Sequence, residues 1–201
     1  MKLFSGKKPS GAVSSIALTL AGIAVIMLFG ILVAYNYVLR SRMEQGSARP
    51  PYLGKLEKDL ALTNRTGEGV RLSMLRGKLW VAAHLSTECP GNCIALAAEM
   101  ADLLRRYGGD ERFRMVSFSV DPPRDTAEKM NAFIAAHGID DPDWWFLTGD
   151  PETLENYLVG YFRFAPAREN QDPETIEKQG RWTHDSRLVL VDGKGNIRGY
   201  Y

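Results

Sequence analysis

The feature that most limits how this chain can fold is Ser86-Thr87-Glu88-Cys89-Pro90-Gly91-Asn92-Cys93, which holds both cysteines of the sequence, four positions apart. Before it, Lys78 to Leu85 (KLWVAAHL) is a short apolar run with the β-branched and aromatic content of a buried strand. After it, Leu96, Met100, Leu103 and Tyr107 recur at the spacing of one helix face. The pair therefore occupies a strand-to-helix turn. Cysteines at i and i+4 at a helix start lie on the same side of it, roughly 5–6 Å apart at Cβ, and the free N–H groups there lower a thiol pKa. Two such thiolates can share a soft metal ion or close a disulfide. Two inert, buried cysteines are the weaker reading, because structural cysteines seldom pair at such a junction.

Ahead of this motif the composition changes. From Pro9 to Leu39 there is no charged residue, and Ile16 to Val38 is dense in Ile, Leu, Val, Ala, Met and Phe. That is longer than the roughly 20 residues a bilayer crossing requires, and longer than the apolar core of about 7–15 residues in a cleaved signal peptide. The segment reads as an uncleaved transmembrane anchor over residues 12–39, behind an N-terminal tail of residues 1–11. Tyr35 and Tyr37 suit the interfacial belt at its far end. Lys2, Lys7 and Lys8 on one side nearly balance Arg40, Arg42, Arg49 and Lys55 on the other, so the positive-inside count does not orient it. Residues 40–52, with Gly46, Ser47, Pro50 and Pro51, read as a linker to a folded domain over residues 53–201.

About 150 residues suffice for one well-filled core. Leu62 to Leu75 reads as two short strands around a Gly67-Glu68-Gly69 turn. Gly108-Gly109 stops the cysteine helix, and Phe113 to Val120 (FRMVSFSV) is apolar on both faces, as a central strand should be. Asp125 or Thr126 is placed to cap a helix that stops at Gly138. Trp144 to Leu147 is a short strand, and Gly149-Asp150-Pro151 opens a helix to about Tyr161. Ala165 to Gly180 is polar, lacks a helical or strand period, and is expected to be a long loop. Ser186 to Val191 and Asn196 to Tyr201 flank Asp192-Gly193-Lys194-Gly195, a hairpin signal. The layout is α/β, a mixed sheet flanked by helices, and with a cysteine pair after the first core strand it is that of a thioredoxin-like fold.

Lys78 through Cys93, Ser119-Val120-Asp121-Pro122-Pro123-Arg124-Asp125-Thr126, Phe146-Leu147-Thr148-Gly149, and His184 ahead of the D-G-x-G hairpin together resemble the Sco/SenC family of membrane-anchored copper-handling proteins. The resemblance covers about Leu53 to Tyr201. It implies a thioredoxin-like domain on the outer side of a bacterial inner membrane, in the periplasm, or in the mitochondrial intermembrane space. It also implies that Cys89, Cys93 and His184 form a copper site, and that the task is to metallate the dinuclear copper centre of cytochrome c oxidase, whose copper-bearing subunit would be the partner. The donor chemistry agrees: soft thiolates favour Cu(I), imidazole suits Cu(I) and Cu(II), and zinc would usually want a fourth ligand. The sequence departs from the family pattern at Ile94, where proline is common, and at Thr183 and Asp185, because the acidic neighbour of the histidine follows it.

The other polar residues carry weaker readings. His84 lies in the strand before the motif, where the family more commonly has an aromatic residue, and is expected to pack or hydrogen-bond in preference to ligating; if it reaches the site, it would tune a ligand or a thiol from outside the ligand set. His137, just before Gly138, suits a helix C-terminus. Asp121, Arg124 and Asp125 are expected to hold the turn near the site; Trp144 and Trp145 read as core or rim aromatics, and Trp182 as the one that faces a partner. Two function classes survive: a copper-binding assembly factor, a chaperone without turnover, and a thiol–disulfide oxidoreductase using Cys89 and Cys93 as its redox pair. Thioredoxin-type oxidoreductases usually carry C-x-x-C and a proline before the facing strand, whereas here three residues intervene and Thr183-His184 stands at that place. A thiol peroxidase would want proline and threonine where Ala82 and Ser86 stand. There is no basic stripe for nucleic acid and no Gly-rich phosphate loop for a nucleotide.

Overall fold

A computed structural model of the chain describes residues 12–46 and 51–201. They fall into two units. The first is one helix, α1 (Ala12–Gly46), within which Ser15–Leu39 is long and apolar enough to cross a membrane, with none of that stretch buried. Helical geometry continues through residues expected to be linker, 40–46. Arg40, Arg42, Met43, Glu44 and Gln45 all favour a helix, and the residue with the poorest interior propensity, Gly46, is where it ends. The expected tail, 1–11, and the linker residues 47–50 lie outside the described residues.

The second unit runs in the order β1 (Gly54–Lys55), β2 (Ala61–Asn64), β3 (Gly69–Arg71), a 3₁₀ turn (Leu72–Leu75), β4 (Leu79–Leu85), α2 (Asn92–Tyr107), β5 (Phe113–Ser119), α3 (Ala127–His137), β6 (Trp144–Thr148), α4 (Pro151–Tyr157) prolonged by a π turn (Leu158–Phe162), β7 (Arg168–Glu169), α5 (Pro173–Gln179), β8 (Trp182–Thr183), β9 (Val189–Val191) and β10 (Asn196–Tyr200). Eight strands form one mixed sheet in the order β1-β10-β9-β4-β5-β6-β2-β3, and β7 pairs with β8 apart from it. β4, β5 and β6 are mutually parallel, while β9 returns antiparallel to β4. This is the thioredoxin-like arrangement that the alternation of strands and helices predicts.

Strand β4 shows why its sequence has no polar alternation: both of its faces are covered. Trp80 and Ala82 pack with Val116, Phe118, Leu158 and Phe162. Val81, Ala83 and Leu85 pack on the opposite face with Met100 of α2 and Phe133 and Ile134 of α3. Burying each large apolar side chain contributes roughly 1.5–3 kcal/mol, so the central strands anchor everything at their ends. Helices α3, α4 and α5 start where a side chain supplies a cap, whereas α2 starts at Gly91 without one. Thr126 accepts from the Lys129 N–H, and Gly138, at φ 62°, gives α3 the left-handed stop that a side chain would disfavour.

Two expectations are corrected. The segment Ala165 to Gly180 is not a long loop: it contains β7 and α5. Asp172-Pro173-Glu174-Thr175 repeats Asp150-Pro151-Glu152-Thr153, which opens α4, and in both the aspartate accepts from the threonine N–H with proline in the first turn. α4 shows an apolar period because it buries Leu154 and Tyr157, whereas α5 buries none of its residues. The second correction is at Ser186, where the spacing predicts the strand to begin; β9 spans Val189–Val191, and backbone pairing reaches back only to Leu188, which exchanges hydrogen bonds with Tyr201. Ahead of it, Asp185 folds back onto Arg187, accepting from its backbone N–H (3.0 Å) and pairing with its guanidinium (2.6 Å).

The strand directions bring three distant segments together. Parallel pairing sets Leu85 beside Ser119, so the turns after β4 and β5 leave the same edge of the sheet. β9 runs the other way, with Val189 opposite Ala82, so the chain just before β9 arrives at that edge as well. The cysteine turn, the Asp121 turn and His184 are thereby neighbours.

Candidate metal centre

Cys93 lies in the first turn of α2, and Cys89 lies in the turn before it. The helix start aims an N–H at the first sulfur: Cys93 N donates to Cys89 Sγ at 3.4 Å. From the far end of the sequence, His184 places Nε2 3.2 Å from Cys93 Sγ. One ligand atom from each of the three residues lies within 4.8 Å of the other two. Both cysteines are free thiols, and both are shielded, Cys89 at 7% exposure and Cys93 at 0%.

The electrostatics separate the two sulfurs. Hydrogen bonding with Cys93, together with contributions from His184 and the Cys93 and Gly91 N–H groups, pulls Cys89 down to about 4 against the opposing effect of burial. Cys93, which shares its proton with that thiolate and is buried more deeply, is pushed well above the ordinary thiol value. The site therefore holds one ready thiolate and one retained thiol. His184 is oriented by its other nitrogen: Nδ1 lies 3.0 Å from the Asp185 carbonyl, a contact that assigns Nδ1 as an N–H donor and turns Nε2 toward Cys93.

The surroundings are tied down by carboxylates that do not touch the donor atoms. Buried Asp125 accepts from Thr87 N (3.0 Å) and Thr87 Oγ1 (2.5 Å) through one oxygen, and from Ser119 Oγ (2.5 Å) through the other. It thus pins the cysteine turn to the end of β5. Asp121 pairs with Arg124 (3.0 Å) and accepts from the Trp182 indole N–H (2.8 Å), linking the next turn to β8. Trp182 is half-buried at that link, while Trp144 is core and donates to Ser117 Oγ (2.9 Å), and Trp145 packs beside the core. Asp185 also accepts from Ala165 N (2.9 Å); despite its burial, the Arg187 guanidinium beside it and those backbone N–H groups hold its carboxyl at about 2. His137 caps its own helix, with Nδ1 2.8 Å from the Phe133 carbonyl, far from any of this chemistry.

Two features of the site depend on contacts between residues distant in sequence, one at the end of the Ala165–Gly180 segment and one at His84. The end of α5 covers the cysteine turn: the Gln179 carbonyl lies 3.7 Å from Cys89 Sγ, and Gly180, at φ +87°, leaves room for Pro90 and Cys89. A Cβ there would stand 3.1 Å from Pro90 Cδ and 3.2 Å from Cys89 Cα. The only signal is a Gln-Gly step after an inconspicuous helix. The second is the environment of His84, which is 1% exposed, stacks on Phe164 at 5.8 Å and meets the His184 ring edge-on at 5.5 Å. Burial, helped by His184, pushes its imidazole down to about 3, so it is neutral.

The SCO1/SenC family model matches residues 50–201. The chain belongs to that family. This SCO1/SenC-family chain is 28% identical to the SCO1 protein homolog of Bacillus subtilis over 136 residues, 67% of each protein. Among solved structures it resembles a SCO1/SenC family lipoprotein from Bacillus anthracis, with a TM-score of 0.65 and 28% identity over 75% of this chain and 86% of that one. It also resembles ScoI of Bradyrhizobium japonicum, solved with copper bound, with a TM-score of 0.60 and 25% identity over 72% of this chain and 87% of that one.

Proposed function

We propose that this chain is a copper-binding assembly factor that carries the ion on Cys89, Cys93 and His184 and delivers it to the dinuclear copper site of cytochrome c oxidase. The observation that carries the reading is the donor set itself: two sulfurs and one oriented imidazole nitrogen within 4.8 Å of one another, at a shielded sheet edge. Soft sulfur selects Cu(I), and a three-donor site leaves a coordination position for an incoming ligand. Membership of a family that includes the copper-bound ScoI supports the same ion. In this reading Cys89 offers its thiolate first. Cys93 then gives up its proton to solvent, and His184 turns its Nε2 from Cys93 to the metal. Copper leaves by exchange with a partner's cysteines at the mouth formed by the Cys89–Cys93 turn and the α5 segment. The Ser15–Leu39 helix would hold the domain at a bacterial inner membrane, on the periplasmic side.

A second reading has one observation in its favour. A thiolate at Cys89 beside a thiol at Cys93 is also the reactant pair of a thiol–disulfide reductase acting on an exported partner. An anaerobic Cu(I) titration of the full-length reduced chain in detergent, against a competing chelator, separates the two. One tight equivalent, weakened by His184→Ala and abolished by Cys89→Ser, is the outcome expected of the carrier. Binding indifferent to His184, or no tight binding, rejects it and leaves the reductase.

A further inference from the structure

His84 contributes a polar atom that the three-donor site does not use. Its Nδ1 is buried and has no hydrogen-bond partner among the described residues. A buried acceptor left bare costs about 1–3 kcal/mol, and such an atom in a folded protein calls for a physical reason. The ring is clamped: Phe164 lies parallel to it at 3°, and the strand carrying it is paired on both sides, with β5 and β9. The His184 ring meets it edge-on, at 70° and 5.5 Å between centroids. His184 in turn touches Cys93.

The chemistry of the ion supplies the reason. Cu(I) is satisfied by two sulfurs and one nitrogen, whereas Cu(II) favours tetragonal coordination and hard or borderline nitrogen and oxygen donors. Cys89, Cys93 and His184 leave such an ion one donor short. Nearby carboxylates are committed elsewhere: Asp185 to Arg187 and Ala165, Asp121 to Arg124 and Trp182, Asp125 to Thr87 and Ser119. Among the described residues, His84 combines burial, a ring nitrogen without a hydrogen-bond partner and contact with a ligand ring. The geometry points to His84 as a further copper ligand, one that completes the coordination of the divalent ion alongside Cys89, Cys93 and His184. It lies outside the cluster of donors within 4.8 Å, so the divalent ion draws the half-buried His184 toward the clamped His84 ring, and the monovalent ion leaves His184 as it stands. The two oxidation states are then distinguished by one nitrogen.

This inference rests on the copper reading, and the test keeps the two apart. One equivalent of Cu(II) is added anaerobically to the full-length reduced chain in detergent and frozen within the mixing time, and pulsed EPR counts the coordinated imidazoles from the remote ring nitrogen. Two imidazoles are expected in the unaltered chain, and one each in His84→Phe and His184→Ala. His84→Phe keeps an aromatic ring against Phe164; its Cu(II) affinity should fall by about 10- to 100-fold, while its Cu(I) affinity holds. A single imidazole in the unaltered chain overturns the proposal whatever the variants do, and assigns the fourth position to an oxygen such as the Gln179 carbonyl or water. Two imidazoles retained in His84→Phe overturn it as well. Failure to bind copper in either oxidation state would instead reject the carrier function itself.

Discussion

Replacing Gly180 with alanine tests whether the end of α5 guards the cysteine pair. Gly180 has φ 87° and ψ 176°, a region of backbone space that is essentially closed to residues with a side chain. Forcing alanine into it costs about 1–3 kcal/mol, and the new methyl would sit 3.1 Å from Pro90 Cδ and 3.2 Å from Cys89 Cα, tighter than ordinary contact. Pro90 and the Cys89 backbone belong to a turn pinned by Asp125, so they yield less readily than α5, which buries no residue. The strain is therefore relieved by lifting α5 and breaking the contact between the Cys89 thiol and the Gln179 carbonyl. If ~2 kcal/mol is released on opening, the open population rises by up to about 30-fold. Iodoacetamide labelling with peptide mapping should show Cys89 reacting correspondingly faster in Gly180→Ala, while Cys93, which is fully buried, stays slow. The strain that opening fails to relieve lowers the melting temperature by about 2–4 °C per kcal/mol. Unchanged labelling of Cys89 together with an unchanged melting temperature would refute the argument.

The remaining predictions concern the supports of the same turn. Asp125→Ala strips partners from the Thr87 N–H, the Thr87 hydroxyl and the Ser119 hydroxyl, and should cost about 3 kcal/mol in urea unfolding; a midpoint equal to that of the unaltered chain would show that these groups find water instead. In Cys93→Ala, Cys89 loses the hydrogen bond that contributes most to its depression, so its titration, followed by ultraviolet thiolate absorbance, should move up from about 4 toward the ordinary thiol range. At mildly acidic pH the variant would then be mostly thiol where the unaltered chain is thiolate. A midpoint that stays near the original would place the depression on His184 and the helix N–H groups.

What could be read from the chain divides along physical lines. The central strands and α2 were legible because burial on two faces and on one helix stripe leaves a periodic mark, as in Trp80 to Leu85 and in Leu96 and Met100. Cys89 and Cys93 announce themselves by chemistry, and His184 by its place ahead of the final hairpin. α5 left no period because it buries nothing, although its Asp172-Pro173-Glu174-Thr175 cap was present and identical to the one before α4. Gly180 and His84 lay beyond local reading for a different reason. The first is defined by Cys89 and Pro90, the second by Phe164 and His184, and neither partner is near in sequence.

The separation of 91 positions between Cys93 and His184 sets an order of events during synthesis. The cysteine helix emerges and can pack on β4 and β5 long before the third donor exists, and the pairing of β9 with β4 that fixes where His184 ends up must wait for the C-terminal strands. Through that interval a nascent chain presents a bare dithiol, open to air oxidation or to any passing ion. A product truncated before His184 lacks the imidazole, and one truncated between His184 and the final hairpin has it without the strand that places it, so either would be a thiol scavenger without a complete cradle.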